Sequence, residues 1–278
     1  MYKRWKRKDA TKAYDVLVFG TKMLLERGDV TAGTELATTL VRGYLDTKAE
    51  CSMENLARIE EVIDAYFSTP GAGEKEGEEV LKAAVVSCEN FVALSAKWLR
   101  SKERRKEASA LYEKLGRYTF TYLGDKYASR ALTHTMTGNN LTNLVSIMAA
   151  IVKRARPDEE DLIVAKVVLR FLNFRGQVAK QLSAYAKIGK VIVDIYEKET
   201  ERKVPDTPLM HFLQLAIEAI EISSDGLLSG LKEKYGAALG QDVALSQEVD
   251  QMIAKLKPRK ATGPPLSDMF KTLFSGAV

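Results

Sequence analysis

The sequence predicts an all-α fold, a two-layer α-solenoid of antiparallel helical hairpins with degenerate, tetratricopeptide-like repeats. Apolar residues recur at helical spacing along almost the whole chain, and only 7 Pro occur in 278 residues. Two segments, 162–174 and 209–222, are apolar around most of the helix circumference, so neighbouring helices must cover them. In the first segment only Lys166, Arg170 and Asn173 could face water. In the second the polar line is His211, Gln214, Glu218 and Glu221.

The first five predicted helices have apolar faces at a spacing of three or four residues. Three of these faces are Ala13, Leu17, Gly20 and Leu24; Leu36, Leu40, Tyr44 and Leu45; and Leu56, Ile59, Ile63, Tyr66 and Phe67. Gly28 and Asp29 end the first helix, and Thr31 or Thr34 can begin the second. Residues 68–73 break the pattern with Pro and Gly. Helices over about 76–100, with an interruption near Cys88, and 105–122 complete this part.

Turn residues divide the rest of the chain in the same way. A shorter helix begins near Asp125, and Asn140 is the expected N-cap of a helix over 141–152. Pro157 and the acids after it begin the buried helix, which Gly176 ends. Further helices are expected over about 179–187, 190–203, 208–222, 225–235 and 245–256. A linker over 258–265 then leads to a short amphipathic tail with Leu266, Met269, Phe270, Leu273 and Phe274 on one side.

The residues that usually carry catalysis or bind metals form no recognisable motif. No phosphate-binding Gly-rich loop, HExxH or GxSxG is present. His134 and His211 are interpreted as surface or capping residues, and the acids 158–161 as helix caps because consecutive carboxylates point in different directions. Cys51 and Cys88 lack CxxC spacing and are expected to be buried free thiols. We therefore expect no enzymatic activity and no cofactor.

The net charge of +5 is concentrated in three basic segments, at residues 3–8, 100–106 and 255–260. Tyr2 and Trp5 interleave with the first segment, which fits nucleic-acid binding or docking on an acidic protein surface. An ordinary solvated helix end explains the same pattern. No apolar run reaches the roughly 18–20 residues of a membrane span, and no secretory signal is recognisable. These features favour a cytosolic protein that does not insert into membranes.

Several stretches, in the same order over nearly the whole chain, resemble the Golgi-to-ER traffic protein four family. These proteins are the cytosolic scaffold subunits of the guided-entry pathway for tail-anchored membrane proteins. Residues 20–28 and the following Thr34-Glu35-Leu36 are similar to one helix end and the next helix start. Residues 161–172, DLIVAKVVLRFL, resemble the family's D-x-F-V-A-Q-A-V-L-Q-F-L helix, and residues 207–215 its E-P-L-L-N-F helix start. Residues 266–274 resemble its terminal helix.

This resemblance implies a non-enzymatic adaptor for tail-anchored protein targeting to the ER, built as a single solenoid. Residues 1–156 would bind a targeting ATPase, residues 157–257 a ubiquitin-like-domain protein, and residues 258–278 would be a linker and terminal helix. Chaperones and tail-anchored clients would be reached indirectly. The resemblance implies ATPase binding by Lys3, Arg4, Lys6 and Arg7. It implies ubiquitin-like-partner binding by Leu209, Phe212, Leu213, Met269, Phe270, Leu273 and Phe274.

Two departures from the family pattern qualify these expectations. The helix pair that precedes the segment 11–28 in the family is represented here only by residues 2–5, so the ATPase-binding surface is expected to be reduced or truncated. Lys255 and Leu256 replace the aromatic pair that usually ends the penultimate helix. Two other interpretations stay open: a different helical-repeat adaptor, such as a subunit of a lid-type complex, and a basic helical nucleic-acid-binding protein, although nucleic acid is not an expected partner.

Overall fold

The structure, a computed structural model, describes the backbone of residues 10–68 and 75–257 and the side chains of 11–68 and 79–257. This part of the chain contains thirteen α-helices, two 3-10 turns and no strand, so the all-α prediction is confirmed. The helices are α1 (Ala10–Glu26), α2 (Val30–Asp46), α3 (Met53–Phe67), α4 (Lys75–Ser101), α5 (Arg105–Leu123), α6 (Ala128–Thr137), α7 (Leu141–Arg154), α8 (Glu160–Arg175), α9 (Ala179–Thr200), α10 (Pro208–Glu221), α11 (Asp225–Lys234), α12 (Gly236–Leu239) and α13 (Val243–Leu256). The 3-10 turns are Asp125–Tyr127 and Pro157–Glu159.

Side-chain caps set several helix starts. Asn140 is the N-cap of α7, as predicted, and its side chain accepts a hydrogen bond from the backbone N–H of Asn143 at 3.3 Å. The prediction that Thr31 or Thr34 begins α2 was wrong. Asp29 is the N-cap and accepts from the N–H of Ala32 at 3.0 Å. Gly28 has a φ of +79° there, which glycine adopts without steric cost.

Two helices that the sequence predicted as interrupted are continuous. α4 runs through Cys88, which is fully buried on its apolar face. α9 joins the two predicted helices over 179–187 and 190–203. Gly189 lies between them, but a Cβ there would stand 3.3 Å from Ile217 Cδ1 of α10 and 3.4 Å from Leu172 Cδ1 of α8. This glycine permits close helix packing and does not end the helix.

Successive antiparallel helices stack in two layers. α1 packs on both α2 and α3, α2 on α4, α3 on α4, and α4 on α5. In the second half α8 has neighbours on most sides, since it contacts α6, α7, α9, α10 and α13. The expectation that residues 162–174 form a helix covered by its neighbours is therefore confirmed. α10 is similarly enclosed by α8, α9 and α11.

The buried residues form two core clusters, one from Tyr14 to Leu115 and the other from Ala131 to Leu256. α5 and α6 meet between these cores at very short range. A Cβ on Gly116 of α5 would stand only 2.7 Å from Thr135 Cγ2 and 2.8 Å from the carbonyl oxygen of Ala131. We call this contact the α5–α6 seam. It joins the two cores through backbone-to-backbone packing, which side-chain rearrangement cannot loosen.

Candidate partner-binding surfaces

The polar line of α8 joins this helix to two neighbours: Lys166 and Arg170 are partly exposed, and Asn173 is buried. Arg170 donates to the hydroxyls of Ser129 (2.6 Å) and Thr133 (3.0 Å) on α6. On the other side of the line, Nζ of Lys166 lies 2.5 Å from Oδ2 of Asp242, the N-cap of α13. The sequence predicted that this line could face water. It is partly buried instead, because its side chains connect α6 and α13 across α8.

Asn173, the third member of that line, is buried and belongs to a short network with α13. Its amide nitrogen donates to Gln251 Oε1 at 2.6 Å. Lys255 donates from Nζ to the carbonyl oxygen of Asn173 at 2.7 Å. The C-terminal end of α13 is thereby held against the C-terminal end of α8. Burial lowers the pKa of the Lys255 ammonium.

The acids at the start of α8 connect three helices, a larger role than the predicted capping. Glu159 caps the turn through the N–H of Arg156 at 3.2 Å, as expected. The buried carboxylate of Glu160 accepts from the Tyr196 hydroxyl of α9 at 2.6 Å. Asp161 accepts from Thr207 Oγ1, the N-cap of α10, at 2.7 Å. Metal binding has no support from these contacts, since each carboxylate of the three already accepts from the protein, and no metal-binding group of His, Cys, Asp or Glu occurs in the described residues.

The outer face of α10 is exposed to solvent. His211, Gln214 and Glu218 are exposed as predicted, and the structure adds Leu215 to them with 38% exposure. A groove of about 300 Å³ runs between α9 and α10, lined by Lys190, Val193, Asp194, Met210, Leu213, Gln214, Ile217 and Glu218. An apolar side chain within a polar rim is a composition typical of protein interfaces.

A sequence model of Golgi to ER traffic protein 4 matches residues 7–274 of this chain. The chain is a member of that family. Protein GET4 of Arabidopsis thaliana is 24% identical over 285 residues, which cover 95% of this chain and 84% of that protein. The crystal structure of C. therm. Get4 has the same fold, with a TM-score of 0.61 at 19% identity over 99% of this chain and 87% of that chain. Family membership gives the chain a role in the tail-anchored protein targeting pathway to the ER.

The family residues predicted to bind the ubiquitin-like partner fall into two groups. Leu209, Phe212 and Leu213 of α10 are at most 1% exposed and pack in the second core. They shape the outer face of α10, and Leu213 also lies at the wall of the groove, but these three side chains offer almost no exposed surface to a partner in this conformation. Met269, Phe270, Leu273 and Phe274 lie outside the described residues, and so do Lys3, Arg4, Lys6 and Arg7, the predicted ATPase-binding residues.

Lys255 and Leu256, which the resemblance places where the family is expected to carry an aromatic pair, both have contacts within this fold. Leu256 is buried in the second core, and the ammonium of Lys255 donates a hydrogen bond to the carbonyl oxygen of Asn173. The two residues therefore fasten the last described helix to α8. The contacts within the fold are sufficient to account for the positions of both side chains.

The two histidines of this family member differ from each other. His211 is exposed, as predicted, and its Nε2 lies 2.5 Å from Oδ1 of Asp206. His134 is half-buried, so the predicted capping or surface role was wrong. Its Nε2 lies 2.8 Å from Glu89 Oε1 of α4, and Arg130 pairs with the other carboxylate oxygen. Burial opposes ionisation of Glu89, but the hydrogen bonds from His134 and Arg130 outweigh it and lower the pKa of that carboxyl.

The second basic segment is partly occupied by contacts within the fold. Lys102 donates to the carbonyl oxygen of Lys48 at 2.8 Å, and Arg104 pairs with Glu107. The guanidinium of Arg100 lies 5.8 Å from the ring centre of Tyr112. Fewer cations are therefore available to phosphate than the sequence suggested. In the described residues no helix combines the length and apolarity needed to cross a membrane.

Proposed function

We propose that this chain is a non-enzymatic, cytosolic adaptor that holds a targeting ATPase on its N-terminal half and a ubiquitin-like-domain protein on its C-terminal half. The continuous stacking of thirteen helices across the α5–α6 seam supports this proposal most strongly. A rigid stack keeps two bound proteins at a set separation, which raises the effective concentration of one beside the other. Chaperones and clients would then be reached through these two partners.

The proposed ubiquitin-like-partner surface is the outer face of α10 with the adjoining groove of α9. Leu215 supplies the apolar centre, and His211, Gln214 and Glu218 form the polar rim. Below this surface the buried Leu209, Phe212 and Leu213 pack in the second core and hold the helix in place. Direct contact with the ubiquitin-like partner would therefore be made mainly by the exposed residues of α10, with Leu215 at the centre.

Leu215→Asp tests this surface. A charge at the centre of an apolar contact leaves the association rate little changed but accelerates dissociation. Truncation of a central interface residue commonly costs about 2 kcal/mol or more of binding free energy. We expect at least a tenfold weaker affinity for a co-purified ubiquitin-like protein by isothermal titration, since about 1.4 kcal/mol corresponds to tenfold. Val191→Asp is the matched control, because Val191 is 42% exposed on α9 and does not line the groove. Equal affinity for wild type and Leu215→Asp would place the contact elsewhere.

The ATPase-binding proposal rests on the basic residues Lys3, Arg4, Lys6 and Arg7. Reversing all four to Glu should weaken ATPase binding in a salt-sensitive way, with the largest loss at low salt, because like charges would then face an acidic partner surface and added salt screens that repulsion. The control is charge reversal of three exposed cations away from this segment: Lys48, between α2 and α3, and Arg105 and Lys106 at the start of α5. The bridging role itself requires a ternary complex, which size-exclusion chromatography of the three proteins would detect. If binding of one partner excluded binding of the other, the bridging role would be contradicted.

A further inference from the structure

The described chain ends beside the turn that joins α8 and α9. Lys255 donates to the carbonyl oxygen of Asn173 at 2.7 Å, two residues before the end of α8. Lys257 follows directly, and its N–H still bonds to the carbonyl of Ile253 at 3.0 Å. α13 also contacts α9, which begins at Ala179. Residues 258–278 therefore start next to the α8–α9 turn.

Exposed apolar side chains are concentrated at this same end of the second half. Between residues 160 and 257 seven large apolar side chains are exposed, and four of them lie here: Phe174 (39%), Val178 (40%), Ile222 (69%) and Leu227 (47%). The hydroxyl of Ser183 donates to the carbonyl oxygen of Glu221 at 2.6 Å, which brings the end of α10 beside the first turns of α9. We call these four side chains the apolar rim. Nothing in the described residues covers them.

We propose that the segment 266–274 of this chain folds back on the apolar rim. Its apolar residues recur at helical spacing on one side, and eight residues, 258–265, separate it from Lys257. Eight extended residues span up to about 26–29 Å, which is ample for a surface adjacent to the starting point. Tethering gives the segment an effective concentration on the order of 1 mM at the rim, an advantage that no separate partner has.

Hydrogen–deuterium exchange of the full chain tests the proposal. A segment with an intrinsic affinity of about 0.1 mM for the rim would be docked about ten times more often than free at that effective concentration. We therefore expect the amides of 266–274 to exchange about tenfold more slowly than in a synthetic peptide of the same sequence. The double variant Val178→Ser/Ile222→Ser should remove most of this protection. Both residues are substantially exposed, and Ser suits the N-cap position that Val178 occupies in α9.

Val191→Ser/Val243→Ser is the matched control, with exposures of 42% and 70% against 40% and 69% in the test pair. It removes the same kind of apolar surface away from the rim and should leave the protection unchanged. Exchange of 266–274 at the free-peptide rate in the wild type would overturn the proposal, as would equal effects of the two double variants. Protection that rises with protein concentration would instead indicate a second copy as the occupant. Protection that appears only with an added ubiquitin-like protein would identify that partner as the occupant.

Discussion

Gly116→Ala tests whether the α5–α6 seam is as tightly packed as the structure indicates. The new Cβ would stand 2.7 Å from Thr135 Cγ2, 2.8 Å from the carbonyl oxygen of Ala131 and 3.0 Å from the backbone nitrogen of Thr135. Two of these three atoms belong to the backbone of α6, so a rotamer change cannot relieve the contact. α5 and α6 would have to move apart by several tenths of an ångström.

The expected cost follows from two opposing effects. Overpacking of a well-packed site destabilises by about 1–3 kcal/mol. Replacing a helical glycine by alanine returns about 0.5–1 kcal/mol of conformational preference. Because two of the three close contacts are with backbone atoms, the overpacking cost should lie in the upper part of that range, about 2–3 kcal/mol. The net loss should then be about 1–2.5 kcal/mol, which corresponds to a Tm lower by about 2–10 °C for a chain of this size. Urea denaturation followed by circular dichroism measures the free energy directly, and calorimetry measures the Tm.

Gly230→Ala is the control for the backbone effect. Gly230 lies inside α11, and a Cβ there would meet nothing within 4 Å. This variant should gain about 0.5–1 kcal/mol, since only the conformational preference changes. If Gly116→Ala were as stable as the wild type, or as much stabilised as Gly230→Ala, the close approach of α5 and α6 would be refuted.

Two further predictions concern ionisable groups in the first core. The folded-state pKa of Glu89 is lowered, so its contribution to stability is present above the ordinary carboxyl pKa and is lost as the pH falls through the folded value. Glu89→Gln should therefore lower the urea midpoint at pH 7 and have a progressively smaller effect on acidification below pH 4.5. A pH-independent effect would contradict stabilisation of the Glu89 carboxylate by Arg130 and by the hydrogen bond from His134. Burial raises the pKa of both thiols, most strongly for the fully buried Cys88, so a thiol reagent should modify Cys51 slowly in the native protein and Cys88 only after unfolding. Two equally fast thiols in the native state would exclude this packing.

Helical periodicity was sufficient to predict most helices, because the apolar spacing reflects burial against a neighbouring layer. It was also sufficient to identify α8 as a central helix, since a narrow polar line leaves no other way to cover its surface. Local signals were weaker guides at helix starts and at Gly189. A glycine can end a helix or permit close packing, and only the neighbouring Leu172 and Ile217 distinguish these uses.

The candidate surfaces depended more on tertiary structure. Apolar residues of α10 were predicted to bind a partner, yet Leu209, Phe212 and Leu213 are buried and Leu215 is the exposed one. The polar line carried the signal that separates them, because Leu215 lies four residues after His211 and three before Glu218 and so shares their exposed face. The partner-binding role of this face stays a prediction.

The amino-acid order alone determined that this chain is a stack of helices and that it resembles the Golgi-to-ER traffic protein four family. The helical stack follows from the spacing of apolar residues, and the resemblance follows from the order of similar segments. Neither inference requires knowledge of which residues are in contact. Tertiary structure decided which polar residue is buried, as with Asn173, and which glycine lies too close to a neighbouring helix to accept a side chain, as with Gly116. These outcomes depend on distances between helices far apart in the chain, and a side chain acquires its partner only when packing brings the two helices together.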